Sequence, residues 1–109
     1  MDPVDAFRTL EMRVGRIVKA ERHAAALKPA YVLSIDFGPA GLKSSSAQLT
    51  ALYRPEELVG CLVVAATNLG VRRIAGVSSE VLVLGIPDEA GNVVLLTPDR
   101  DVPLGGKVF

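Results

Sequence analysis

Two adjacent arginines, Arg72 and Arg73, are the residues whose type and spacing point most directly to ligand binding in this sequence of 109 residues. They follow Gly70-Val71 and precede Ile74-Ala75-Gly76, which predicts that they lie on a loop between two buried strands. Functional residues concentrate on such loops, and a planar guanidinium group matches the geometry of a phosphate. The pair therefore predicts a ligand-contacting loop, and a solvated turn is the alternative.

Three consecutive serines, Ser44–Ser46, interrupt the apolar alternation expected of a strand. No His or Lys stands at a spacing that would activate one of them as a nucleophile. Their hydroxyl groups are suited to donate hydrogen bonds to a phosphate or to a bound main chain, and a polar outer face is the alternative.

Motifs of catalysis and metal binding are missing from the sequence. It has no Gly-x-Ser-x-Gly, Walker, His-Glu-x-x-His or Cys-x-x-Cys pattern, and one His with one Cys cannot build a conventional zinc site. Cys61 lies in an apolar run, which predicts a buried core residue, whereas His23 lies beside charged residues, which predicts a solvated surface histidine. Gly38–Gly41 predicts a tight turn. We expect no enzymatic activity, metal or cofactor.

Composition and charge further narrow the structural and functional classes to which the protein can belong. Half of the residues are apolar and 22% are charged, which indicates one globular domain. The 12 Lys and Arg residues balance 12 Asp and Glu residues, and this zero net charge weakens a nucleic-acid function, since phosphate binders usually carry a basic excess. The short apolar runs, the acidic start and the single Cys predict a cytoplasmic protein without a secretory signal or membrane insertion.

The elements that must position these residues are short strands with one inserted helix. The pattern predicts a short N-terminal helix beginning at Pro3 and a helical turn at Pro55–Gly60. It predicts extended segments from Met12, with a bulge or bend near Gly15, and at Tyr31–Phe37, Leu42–Leu49, Cys61–Asn68, Glu80–Ile86 and Val93–Thr97. This order predicts an all-β fold, the five-stranded Greek-key oligonucleotide/oligosaccharide-binding (OB) barrel. An immunoglobulin-like sandwich is the alternative, but it leaves the inserted helix unexplained.

With these residues in view, the chain resembles the tRNA-binding domain family of OB-fold modules from Phe7 to Phe109. The resemblance is carried by Arg13–Ile17, Tyr31–Gly38, Asn68-Leu69 and Gly76–Glu80. Members that bind tRNA typically have a polar His-Pro-Asn-Ala-Asp-Lys-Leu stretch where this chain has His23–Pro29, and Gly-Met where it has Val81-Leu82. The chain is more similar to a branch of export-related chaperones, in blocks that include Ser45–Gln48, Arg72–Gly76 and Ser79–Gly85.

The resemblance implies a homodimeric chaperone that binds unfolded or precursor proteins and delivers them to the secretion machinery, with the secretion ATPase SecA as a partner. Residues 1–109 form one domain in this prediction: an N-terminal helix at 1–11, a barrel at 12–98 and a C-terminal dimerisation segment at 99–109. The expected dimer interface consists of apolar residues at both ends: Val4, Phe7, Leu10, Val102, Leu104 and Phe109. The alternative is that both ends plug the barrel of their own chain.

The expected ligand is an extended polypeptide held on one face of the barrel. Its main chain would bond to polar residues such as Ser45, Asn68 and Ser79, and its side chains would enter apolar pockets near Phe37 and Leu69. The alternative is a tRNA- or RNA-binding module, in which Phe37 stacks on a base unless it fills the core. The family's binding face corresponds to Lys43, Asn68, Arg72, Arg73, Ser79 and Glu80.

Overall fold

A computed structural model describes all residues from 1 to 109. Its α-helices are α1 (Pro3–Thr9) and α2 (Pro55–Leu58), and its first strands are β1 (Met12–Arg22), β2 (Tyr31–Asp36), β3 (Leu42–Ala47) and β4 (Leu62–Ala66). The remaining strands are β5 (Arg72–Ile74), β6 (Val77–Ser79), β7 (Leu82–Val83), β8 (Gly85–Pro87) and β9 (Val93–Leu95).

Five of these strands form an antiparallel sheet in the order β3-β2-β1-β4-β7, which curls until its two edge strands adjoin. Main-chain bonds from Glu80 and Val81 to Ser44 O, 2.8 and 3.4 Å long, complete the contact between the two edges. Two further hairpins, β5–β6 and β8–β9, lie outside this sheet. The predicted all-β OB-fold barrel with an N-terminal helix and a helix after the third strand is confirmed.

The long strand β1 serves both halves of the barrel. Its first part, Met12–Arg16, pairs with β4, and its second part, from Arg16 onward, pairs with β2. The register shifts between Ile17 and Lys19, so that Val18 is an extra residue at the bend. The bulge or bend predicted near Gly15 is therefore found three residues later, at Val18.

Gly15 serves the packing of the core instead. A Cβ atom at this position would lie 2.5 Å from Cγ2 of Ile35 and 2.8 Å from the ring of Phe37. Both side chains are fully buried and close over the glycine backbone.

The core fills the barrel as the alternation of β2 predicts, because Tyr31, Leu33 and Ile35 point inward while their neighbours are half-buried. Leu58 from α2 is fully buried and joins the same cluster. At the start of α2, the main-chain N–H and the guanidinium group of Arg54 donate to Glu57, and these bonds hold the pKa of that carboxyl below its ordinary value of 4.5.

Three predicted segments differ from the structure. The strand expected at Glu80–Ile86 is split, because the N–H of Leu84 bonds to Val64 O while its carbonyl accepts from Leu96. The loop expected around Arg72 and Arg73 is the hairpin β5–β6. Cys61 is exposed rather than buried, because β4 begins one residue later and the thiol donates to Glu57 O in the turn after α2.

No helix has the length and apolar character needed to cross a membrane.

We expect Gly15→Ala to lower the free energy of unfolding by about 1–3 kcal/mol, because the added methyl group overpacks the core. Urea titration followed by circular dichroism measures this loss. Adding Phe37→Leu removes part of the clash, so the double variant should lose less than the sum of the two single losses. An unchanged midpoint for Gly15→Ala would contradict the packing described for this position.

Candidate functional site

Two neighbouring cavities lie beside the hairpin β5–β6. The first, about 640 Å³, is bounded by the loop before β2, by the end of β3 and by the hairpin; its lining residues are Ala26, Leu27, Lys28, Ala30, Ser46, Gln48, Arg73, Ile74 and Ala75. The second, about 340 Å³, is lined by Ser46, Leu69, Gly70, Arg72, Ile74, Ser79, Val81 and Leu82. Because both contain Ser46 and Ile74, they adjoin, and we call them together the hairpin groove.

The groove combines apolar walls with cations that lack a carboxylate partner. Leu27, Leu69 and Ile74 are exposed in its lining, and no Asp or Glu borders either cavity. Neither Arg72 nor Arg73 forms an ion pair, although Arg73 donates to Ser78 Oγ at 3.0 Å. Lys28 at the rim is likewise free of an ion pair. Such a surface can hold an apolar ligand that carries a negative group nearby.

The serines of β3 fasten the hairpin to the barrel. Ser44 Oγ donates to Ser78 O, and the main-chain N–H of Ser46 donates to Ser79 Oγ at 3.0 Å. Glu80 Oε1 accepts from the N–H of Ser44 at 3.1 Å and lies 3.0 Å from the Ser44 hydroxyl oxygen. These groups position the groove and are already occupied by partners within the chain.

The buried side chain of His23 contacts the turn of the hairpin β5–β6. It is only 6% exposed, so the prediction of a solvated histidine is wrong. Its Nε2 lies 3.3 Å from Ala75 O and its Nδ1 lies 3.0 Å from Ser46 Oγ. Because a carbonyl can only accept, Nε2 carries a proton, and in the neutral ring Nδ1 then accepts from the Ser46 hydroxyl. Sequence reasoning missed this role, since both partners are remote along the chain.

The structure gathers only part of the predicted site. Leu69, Arg72, Arg73 and Ser79 all line the groove. Glu80 is bound to Ser44, and Ser45 is buried and borders neither cavity. Lys43 borders a separate cavity of about 130 Å³.

Phe37 and Asn68 have structural roles in the folded chain. The side chain of Phe37 is fully buried, so no face of its ring is open to a base. Asn68 Nδ2 donates to Thr9 O and Asn68 Oδ1 accepts from Glu11 N, both at 2.8 Å, so this side chain fastens the end of α1 to the barrel. The apolar wall of the groove contains other residues, Leu27 and Ile74, which sequence reasoning did not select.

Both ends of the chain meet at the beginning of β1. The tail bonds to this strand through Gly105 N to Val14 O and Val108 N to Met12 O, both 2.8 Å long. Helix α1 buries none of its residues, so it does not plug the barrel. The predicted interface residues are exposed or half-buried in the single chain: Val4, Phe7, Leu10, Val102, Leu104 and Phe109.

Comparison with known families identifies the family to which this barrel belongs. The sequence profile of the putative tRNA binding domain family matches residues 12–107, which include every strand and the helix α2. The chain belongs to this family. The resemblance predicted from its motifs is thereby confirmed.

Relatives that match this chain include curated methionine–tRNA ligases and solved chaperone structures. The methionine–tRNA ligase of Pyrococcus abyssi (strain GE5 / Orsay) is 38% identical over 104 residues, which are 95% of this chain and 14% of the ligase. The chain thus spans about a seventh of the curated ligases that it matches.

Two of the similar solved structures are of chaperones. The crystal structure of chaperone CsaA from Bacillus anthracis str. Ames has a TM-score of 0.93 at 48% identity, over 100% of this chain and 99% of that one. The CsaA chaperone protein from Picrophilus torridus has a TM-score of 0.92 at 42% identity over 100% of both chains. The predicted similarity to chaperone members of the family is confirmed.

We expect His23→Ala to leave Ala75 O and the Ser46 hydroxyl without partners and to lower the free energy of unfolding by about 1–3 kcal/mol. Amide hydrogen exchange in β5–β6 should accelerate because the turn loses its support. The neighbouring exposed Arg22→Ala is the control and should change neither measurement. Equal exchange rates in the two variants would show that His23 does not hold the hairpin.

Proposed function

We propose that this chain is a molecular chaperone that binds unfolded or precursor polypeptides in the hairpin groove, without catalysis. The observation that carries the proposal is the groove itself, where exposed Leu27, Leu69 and Ile74 lie next to unpaired arginines. Exposed apolar surface of this kind marks a binding site, and the similarity to CsaA chaperone structures supports a polypeptide as the ligand.

The lining of the groove favours a polypeptide over RNA. Recognition of single-stranded RNA depends on aromatic side chains that stack on bases, and no Phe, Tyr or Trp borders either cavity. Apolar walls instead suit Leu, Val or Ala side chains of an extended client. The zero net charge of the chain agrees with a ligand that is not a polyanion.

The similarity to chaperone members of the family also supports a proposal about where the protein acts in the cell. The chaperone would act in protein export in the cytoplasm and pass precursor proteins to SecA. It would do so as a homodimer, whose interface comprises the exposed stripe of α1 and the tail after Pro98. Helix α1 supports this assembly, because Val4 and Phe7 are 56% and 45% exposed and have no cover within their own chain.

A second function, tRNA binding, is supported by the family match and by the unpaired cations Lys28, Arg72 and Arg73. If all three contact phosphates of a single strand, the logarithm of the binding constant should fall with the logarithm of salt concentration at a slope of about −2. A polypeptide held by apolar walls would give a much flatter dependence. The two ligands are therefore separable by salt as well as by substitution.

We expect Ile74→Ser to weaken binding of a labelled unfolded peptide about tenfold, because Ile74 contributes apolar surface to both cavities. Fluorescence polarisation measures the affinity, and suppression of aggregation of a chemically denatured reporter enzyme measures chaperone activity. Ile86→Ser, an exposed isoleucine on β8 outside the groove, is the matched control and should retain both. If the unaltered protein neither binds peptide nor slows aggregation, the proposed function is wrong.

The double substitution Arg72→Ala/Arg73→Ala separates the two ligands. We expect it to reduce tRNA affinity at least about tenfold, through lost phosphate contacts, and to change affinity for an uncharged unfolded peptide less than about threefold. Lys19→Ala/Arg100→Ala removes the same charge from exposed positions outside the groove and serves as the control. Equal and large losses of peptide binding in both double variants would contradict the apolar basis of recognition.

For the dimer, we expect sedimentation velocity at micromolar concentration to show two chains per particle. Val4→Ser/Phe7→Ser removes the apolar stripe of α1 and should yield monomers, while Val59→Ser alters an exposed valine elsewhere and should leave the dimer intact. A monomer formed by the unaltered protein would refute the proposed interface.

A further inference from the structure

We propose, resting on the proposed function above, that an extended client segment adds to the outer edge of β5 as a third strand of the hairpin sheet. The main-chain N–H and C=O of Arg73 would supply the hydrogen bonds. The client would be a segment of apolar side chains flanked by Asp or Glu. This specifies how the groove holds a polypeptide and which polypeptides it prefers.

The hairpin has one covered edge and one open edge. Its two-stranded sheet contains only β5 and β6. Strand β6 lies against β3, to which it is joined through Ser78 and Ser79. All three residues of β5 are exposed, and no strand pairs with the opposite side of β5. An open edge of this kind is the template on which strand addition occurs.

The turn of the hairpin determines which residue offers its main chain. The turn has two residues, Ala75 and Gly76, with φ of 47° and 85°, the pattern of a type I′ turn. The flanking pair, Ile74 and Val77, then exchanges main-chain hydrogen bonds, and the next pair, Arg73 and Ser78, does not. The N–H and C=O of Arg73 therefore point away from β6.

An independent contact agrees with this alternation. The carbonyl of Ser78 accepts a hydrogen bond from Ser44 Oγ on β3, so it points away from β5. The residue opposite, Arg73, must have its main-chain groups on the other side, and neither group takes part in any main-chain hydrogen bond outside the strand ladders. The edge thus carries one unsatisfied donor and one unsatisfied acceptor where the groove passes.

The edge is held in position before a client arrives. His23 supports Ala75 O in the turn, and the serine contacts fix β6 to the barrel. Strand addition to a rigid edge orders only the client, which lowers the entropic cost of binding. With a single residue offering hydrogen bonds, the attachment is short, and it suits a ligand that must be released.

The charges beside the edge select among clients. Side chains of an added strand alternate between two faces, so one set lies on the side of Arg72 and Ile74, and the other on the side of Arg73. Arg72, Arg73 and Lys28 surround this position without any ion-pair partner in the chain. Segments with carboxylates beside their apolar residues are favoured, and segments rich in Lys and Arg are disfavoured.

The test is amide hydrogen exchange of the full-length, ¹⁵N-labelled protein, measured by NMR. The probe is a blocked peptide of about eight residues in which Val alternates with Ser, with Glu at each end, a length that exceeds the three residues of β5. In the free protein, the amide of Arg73 should exchange faster than those of Arg72 and Ile74. At saturation with peptide, exchange at Arg73 should slow at least about tenfold, and the other two should change much less.

Two outcomes are distinguishable. If the peptide binds in the groove, as shown by shifted resonances of Leu27 and Ile74, and exchange at Arg73 is unchanged, strand addition is overturned and the proposed function stands. If the peptide does not bind but the protein still slows aggregation of the reporter enzyme, strand addition alone is overturned. If the protein neither binds the peptide nor slows aggregation, or if tRNA and not peptide protects Arg73, both are overturned.

A pair of modified peptides provides a second measurement that requires no change to the protein. One peptide carries N-methyl groups on every Val, and the other carries them on every Ser. In an added strand, residues of one parity direct their N–H toward β5, so one peptide should lose at least about tenfold in affinity relative to the other. The same peptide with Lys in place of Glu should bind more weakly than the original. Equal affinities of the two methylated peptides would overturn strand addition.

Discussion

The contact between β3 and the segment Ser78–Val81 is the constraint on which the rest of this structure depends. Ser44 O accepts the main-chain bonds that complete the barrel, while the Ser44 hydroxyl and the Ser46 amide fasten the hairpin that walls the groove. The same contact therefore closes the barrel and positions the hairpin groove. A chain that lost this contact would open its barrel and lose its groove together.

This arrangement supports the proposal that the groove binds a polypeptide. The hairpin is raised beside the barrel, so that Ile74 remains exposed and is shared by both cavities. Phe37, the aromatic residue predicted to stack on a base of RNA, is instead buried against the glycine at position 15. Cations remain at the rim as Arg72 and Arg73, where they attract an anionic group without dominating the surface.

Local patterns in the sequence predicted the barrel because the inward face of a strand and the first turn of a helix depend on neighbouring residues. Alternation in β2 sets its inward face, and Pro55 with the following glutamates begins α2. The hairpin β5–β6 escaped prediction because its strands have only three residues each and are exposed, so no burial pattern marks them. His23 was missed because its environment is made by Ser46 and Ala75, which only the folded chain brings near. The dimer interface stays a prediction.

NMR mapping of an unfolded client on the ¹⁵N-labelled protein, with tRNA added in a parallel titration, tests most directly whether the hairpin groove binds a polypeptide. We predict that the client shifts resonances of residues that line the groove, above all Leu27, Leu69 and Ile74, and that its affinity changes much less than that of tRNA between low and moderate salt. Client-induced shifts confined to another face of the barrel, or shifts in the groove produced by tRNA and not by the client, would contradict it.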